Sequence, residues 1–224
     1  EIASCLVGSE MCIRDRAKLS AQNIAFNDVA RQAILFDSDF YDGFYERHSA
    51  RPQKGLAIAR MMGHITYLAE QGLGARFGRG EGKQVPKKLY DSKFQVESYL
   101  RAQGKKFASY FDANTYLLMT KALDYFDPAQ GGPLDVALAN ICAKVLLISF
   151  SSDWRFAPQC SREIWAALIR AQKEVQYLEI ESSRGHDAFL LDDALYLKGM
   201  RLYFEDIVYQ ALQDEREKIS HVAC

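Results

Sequence analysis

The run KVLLISF at residues 144–150 decides the fold. It is a continuous apolar stretch of strand length with no alternation. That is the expectation for a strand buried on both faces of a parallel sheet. Working outward, SREIWAALIRAQ (161–172) reads as an amphipathic helix and EVQYLEI (174–180) as a second strand. DDALYLKGMRLYFEDIVYQALQDEREK (192–218) then supplies a last helix. Strand, helix, strand and helix at this spacing make an α/β pattern with a right-handed crossover.

Upstream the character is helical. SAQNIAFNDVARQAILFD (20–37) carries apolar residues at Ile24, Val29, Ile34 and Leu35, although Asn23 and Asn27 weaken the helical pattern. The strongest helical signal is GLAIARMMGHITYLAEQGLGARFG (55–78), with Pro52 before its start and glycines at its end. KFQVESYLRAQGKKFASY (93–110) and DANTYLLMTKALDYFDP (112–128) read as two more, the latter with Asp112 as a candidate N-cap. LDVALANI (134–141) is a short one, and no convincing strand falls between residues 48 and 140. The expected organisation is a first core segment at 17–47, a helical region at 48–140, a second core segment at 141–214 and a tail at 215–224.

Composition bounds the function. The chain has 224 residues, 49% hydrophobic and 25% charged, with a formal charge of −1. That balance offers no basic footprint for nucleic acid or an anionic membrane, and GKQVPKK (82–88) is too short to change it. No apolar run approaches the roughly 20 residues needed to cross a bilayer. The cysteines, Cys5, Cys12, Cys142, Cys160 and Cys224, are odd in number and far apart, with no CxxC pair. They point to reduced thiols in a cytoplasmic protein and to no metal site. The first 16 residues, EIASCLVGSEMCIRDR, lack an initiator Met and the layout of a signal peptide. They resemble translated sequencing-adapter DNA, so native sequence is expected from about Ala17.

Ligand and catalytic groups of open α/β sheets emerge at the carboxyl ends of the strands. Asp153 lies three residues past KVLLISF, and His186 just past EVQYLEI, so parallel pairing would bring them together. A carboxylate that accepts from one imidazole nitrogen fixes the tautomer and leaves the other to take a proton. Acid after one strand and histidine after the next is the order of the α/β-hydrolase triad. The ordinary alternatives are a turn aspartate and a loop histidine without function. His48, His64 and His221 follow no strand.

Four blocks carry a wider resemblance: GLAIARMMGHITYLAEQGLGARFGR, FQVESYLRAQGKKFASYFDANTYLLMTKALDYFD, FSSDWRFAP and GHDAFLL, with LSAQNIAFNDVARQAI before them. Together they resemble the MetX-type homoserine O-acyltransferases, α/β-hydrolase-fold enzymes of methionine biosynthesis. Gly-His-Asp alone is a weak signature; long blocks in order are a strong one. The resemblance implies Asp153 as the triad acid and His186 as general base. It implies Asp187 on the ammonium group of homoserine, and Arg60, assisted by Tyr67, on its carboxylate. Arg60, His64 and Tyr67, at i, i+4 and i+7, share one helix face, and a guanidinium there suits bidentate capture. The alternative for Arg60 is a surface salt bridge. His64 is expected to pack or cap within the helices.

Implied too is ping-pong acyl transfer through an acyl-serine, with acyl-CoA as co-substrate and no other cofactor. The helical region would be a lid that excludes water and forms a homodimer. Arg155, two residues past the acid, would hold the distal carboxylate of succinyl-CoA, so succinyl is favoured over acetyl-CoA. Its alternative is a pairing with a neighbouring carboxylate. The nucleophile is the departure: the chain has no Gly-x-Ser-x-Gly, and VGSEM around Ser9 does not match it. The expectation is a truncated α/β-hydrolase fold that is inactive and poorly soluble alone. Two other functions remain open, an esterase or lipase on the same fold and a non-catalytic binding module.

Overall fold

A computed structural model describes residues 17–81, 91 and 93–222. The expected leader, residues 1–16, and the basic cluster 82–88 lie outside the described residues.

Helix α1 (Ala21–Leu35) starts where the Ser20 hydroxyl accepts from the Asn23 backbone N–H at 3.3 Å. Two 3₁₀ turns, Tyr41–Gly43 and Tyr45–His48, lead to α2 (Gln53–Tyr67). Pro52 gives α2 no side-chain cap, and Asp37 takes that role from a distance, accepting from Gly55 N–H at 2.7 Å. α3 (Glu70–Phe77) and α4 (Gln95–Ala108) follow, the latter held at its start by the Glu97 carboxylate on the Lys93 and Phe94 amides, each at 2.8 Å. α5 (Ala113–Tyr125) is capped by Asp112, which accepts from Thr115 N–H at 2.7 Å, and α6 (Leu134–Leu138) is a short turn of helix. Ala30, Ile34, Leu56, Ala59, Ala108 and Ala113 form one buried core among α1, α2, α4 and α5. Glycine makes the crossings close. A Cβ on Gly55 would lie 2.3 Å from the Ala33 carbonyl oxygen, and one on Gly104 would lie 2.6 Å from that of Ala57.

The second half is β1 (Val145–Phe150), α7 (Pro158–Arg170), β2 (Val175–Ile180) and α8 (Ala194–Val222). The strands pair in parallel from Val145↔Val175 to Phe150↔Ile180. Val145 and Leu147 pack with Leu138, Ala167 and Leu168 on one face of the sheet. Ile148, Phe150 and Ile180 pack with Ala188 and Tyr196 in a second cluster. An unbroken apolar run is what a strand buried on both sides requires.

Three boundaries differ from expectation. The helix expected over 55–78 is two helices, because Leu68 and Ala69 are extended, with ψ of 143° and 150°. Helix α7 begins at Pro158, whose fixed φ suits the first helical turn. Helix α8 continues through 215–222, residues expected to form a tail. Between 48 and 140 the described residues hold one isolated antiparallel bridge, Glu81↔Phe94.

Candidate active site

The register that sets Phe150 opposite Ile180 also sets the two following loops level with one another. Their serines join them. Ser151 Oγ accepts from Ser182 N–H at 3.0 Å, and Ser152 Oγ accepts from Gly185 N–H at 2.9 Å. Asp153 closes a tight turn, its N–H donating to the Phe150 carbonyl at 3.0 Å and its Oδ1 accepting from Phe156 N–H at 2.8 Å. That leaves Oδ2, which lies 2.6 Å from Nδ1 of His186. Asp153 and His186 are 3% and 4% exposed, so the pair is shielded from water. A neutral His186 donates from Nδ1 and presents a lone pair at Nε2, and Nε2 is buried with no hydrogen-bond partner.

The imidazole is walled by aromatic rings: Phe156 at 4.9 Å, Tyr67 at 5.5 Å and Phe189 at 5.7 Å between centroids. It is placed by Gly185, whose φ of +73° and ψ of −154° suit glycine almost alone. A Cβ at Gly185 would lie 2.5 Å from the Ala69 amide nitrogen and 2.6 Å from the Tyr67 carbonyl oxygen. The break between α2 and α3 is therefore the seat of the histidine loop. The acid loop grips the same point, Trp154 Nε1 donating to the Leu68 carbonyl at 3.1 Å. A cleft of about 900 Å³ opens beside the acid, lined in part by Ser151, Ser182, Ser183 and Trp154.

The other candidates divide. Tyr67 reaches the imidazole, and Asp187 follows His186 in the same 3₁₀ turn, half-buried. Arg60 is half-buried with its guanidinium over the Phe107 ring at 5.1 Å; among the described residues no carboxylate forms an ion pair with it. His64 is 7% exposed, edge-on to Tyr99, with neither ring nitrogen hydrogen-bonded. Burial, and the Arg60 charge beside it, push its pKa down to about 4.

Arg155 is 8% exposed and, among the described residues, pairs with no carboxylate. Its Nη1 donates to Thr66 Oγ1 and its Nη2 to Asn27 Oδ1, both at 3.0 Å, while Nε is buried and unpartnered. The guanidinium lies 5.4 Å from the Tyr67 ring and 5.6 Å from that of Phe156, two of the rings around His186. Tyr116 joins this region. Burial raises its phenol to about 12, with Tyr67 adding to the rise and the charges of Arg155, Arg60 and Arg31 opposing it. The arrangement can move a proton at Nε2 of His186 and hold anionic groups near Arg155 and Arg60.

Asn23, Asn27, Thr66 and Tyr116 were not singled out from sequence. The signal for the asparagines was the spacing of Asn23, Asn27 and Arg31 at i, i+4 and i+8, one face of α1, and all three are buried. Among the described residues no group of three His, Cys, Asp or Glu is placed to hold a metal ion, and no helix is long and apolar enough to cross a membrane.

No family model matches the chain. It is 57% identical over 199 residues to the homoserine O-succinyltransferase of Neisseria gonorrhoeae, covering 88% of this chain and 52% of that protein. It is 55% identical over 203 residues to the homoserine O-succinyltransferase of Laribacter hongkongensis, covering 90% and 53%. The chain thus spans about half the length of the curated relatives it matches. Its backbone is similar to a homoserine O-acetyltransferase from Bacillus anthracis, with a TM-score of 0.67 at 24% identity over 77% of this chain and 46% of that one. It is similar also to esterase E22, at 0.71 and 22% over 84% and 52%. At those identities the structural likeness carries the α/β-hydrolase fold alone, which an acyltransferase and an esterase share. The sequence likeness carries more: with over half of its matched residues identical across about nine-tenths of its length, the chain belongs to the homoserine O-acyltransferase family.

Proposed function

We propose that the whole protein transfers an acyl group, preferably succinyl, from CoA to the γ-hydroxyl of homoserine. The observation that carries this reading is the buried His186–Asp153 pair with Nε2 unpartnered. The attacking serine is assigned to the remainder of the whole protein, since the chain has no Gly-x-Ser-x-Gly. In the first half-reaction Nε2 takes the serine proton as the oxygen attacks the thioester carbonyl. The C–S bond breaks, and the imidazolium returns the proton to the departing CoA sulfur. In the second, Nε2 takes the γ-hydroxyl proton, the alkoxide attacks the acyl-serine, and the serine leaves with that proton. Asp153 holds the tautomer through both and stabilises the imidazolium.

Arg60 and Tyr67 are assigned to the homoserine carboxylate, Asp187 to its ammonium group and Arg155 to the distal carboxylate of the succinyl donor. A transferase must favour a bound alcohol over water, and the aromatic walls around His186 supply a dry setting for that choice. We place the enzyme in the cytoplasm as a homodimer joined through the helical region 48–140, with no metal and no cofactor beyond acyl-CoA.

The test is CoA release by the whole protein with and without homoserine. The expected result is release that depends on homoserine and is faster with succinyl-CoA than with acetyl-CoA. Release that ignores homoserine would make the protein an esterase, and homoserine binding without any release would make it a binding module. The 224-residue chain alone is expected to show no turnover.

A further inference from the structure

Arg155 is a buried cation that has been given neutral partners. Thr66 offers it a hydroxyl and Asn27 an amide oxygen, each at 3.0 Å, and its own backbone carbonyl accepts from Asn23 Nδ2 at 3.0 Å. A guanidinium taken out of water is normally matched by a carboxylate, because an uncompensated buried charge is costly. A carboxylate is close by and is kept away. Asn27 Nδ2 donates to Asp124 Oδ1 at 2.8 Å, and Asp124 is itself in an ion pair with buried Arg31 at 2.7 Å. The orientation of the Asn27 amide follows from chemistry. Arg155 can only donate and ionised Asp124 can only accept, so the amide oxygen faces the first and the amide nitrogen the second.

Asn27 is therefore a spacer between two charged systems. On one side Arg31 and Asp124 neutralise each other; on the other Arg155 keeps its full charge and an unused Nε–H. We propose that Asn27, aided by Thr66, is a positioning residue for acyl-donor choice. It holds the Arg155 guanidinium in place without neutralising it, so that the donor's distal carboxylate becomes its counter-ion. This rests on the succinyl reading given above. An aspartate at position 27 would reach the guanidinium with nearly the same geometry and supply an internal counter-ion. The donor's carboxylate would then compete for a cation already satisfied, whereas a donor with no carboxylate has nothing to lose.

The experiment is calorimetric titration of the whole protein with two unreactive thioethers. S-(3-carboxypropyl)-CoA carries the distal carboxylate of the succinyl donor, and S-ethyl-CoA stands for the acetyl donor. The readout is the ratio of the two affinities, which loosened packing would not change because it weakens both together. Wild type is expected to prefer the carboxylated analogue, and Asn27→Asp is expected to lower that preference by roughly tenfold or more. Thr66→Val, which removes one acceptor and adds no charge, is expected to lower it severalfold. If Asn27→Asp does not fold beside Asp124, Asn27→Ser, which removes the amide oxygen that holds Arg155 and adds no charge, carries the test and is expected to lower the preference severalfold. A preference that survives in a folded Asn27 variant overturns the role of Asn27, one that survives in Thr66→Val overturns the help of Thr66, and either leaves the succinyl reading standing. A wild type that shows no preference overturns the succinyl reading and this inference with it.

Discussion

A carboxylate 2.6 Å from an imidazole nitrogen, with both groups almost wholly buried, orients the ring and selects the tautomer. Asp153→Asn keeps the size and removes both functions, since an amide N–H facing Nδ1 leaves the proton on Nε2. In the whole protein that change is expected to lower kcat by about 10³- to 10⁴-fold with little change in KM for homoserine, read from steady-state rates. In the chain itself, the imidazole ¹⁵N shifts of His186 should move from the Nδ1–H form to the Nε2–H form. His64 gives a second test at this scale. Its folded pKa of about 4 lies below the ordinary histidine value of 6.5, so between those pH values the unfolded chain binds the extra proton. Stability then rises with pH across that window and is lost as pH falls through it. Between pH 7 and pH 5 this one group should cost about 2 kcal/mol. His64→Phe should remove that part of the loss, measured as the change in urea midpoint at the two pH values.

The break between α2 and α3 shows what an element's end can do. Leu68 and Ala69 leave the helix, and the freed carbonyl of Leu68 accepts from Trp154, while Gly185 packs against the backbone at Tyr67 and Ala69. Both candidate catalytic loops are thereby pinned to one turn of the helical region. Gly185→Ala places a Cβ where backbone already stands and in a conformation that non-glycine residues avoid. It is expected to cost about 1–3 kcal/mol. It should also loosen the histidine loop, seen as faster amide exchange at residues 185–190 with little change in α1. The strands were legible because an unbroken apolar run has few other homes, and the order of acid and histidine after them was enough to pair Asp153 with His186. The helix break was not legible: Leu68, Ala69, Glu70 and Gln71 are good helix formers, and the groups that hold the break, Trp154 and Gly185, are far away in sequence. The holders of Arg155 were obscured for a related reason. Asn23 and Asn27 weaken a helix judged by local propensity, and only the fold shows that their amides are spent on Arg155 and Asp124.

At the scale of the molecule, two kinds of unsatisfied surface should give two kinds of association. Helix α5 buries Ala113 and packs Tyr116 and Leu117 against the helical core, yet it is apolar on its outer side as well. Leu118 and Tyr125, at i and i+7 on that side, are 71% and 79% exposed. A stripe of that size on one helix can be covered by the same stripe of a second copy about a two-fold axis, which closes the assembly at a dimer. Strand β1 is different: among the described residues it pairs only with β2, and its other edge has no strand partner. An unpaired edge is a template without closure, so it favours slow, open-ended aggregation. The two should separate experimentally. Sedimentation equilibrium of the chain at tens of micromolar is expected to show a reversible monomer–dimer exchange over hours, with turbidity growing over days. Leu118→Glu with Tyr125→Glu should abolish the dimer and leave thermal stability within about 0.5 kcal/mol, because both side chains already face water. The turbidity should persist, since the edge of β1 is untouched. If the double variant still sediments as a dimer, the outer face of α5 is not the contact, and the homodimer assigned to residues 48–140 must be built on another surface.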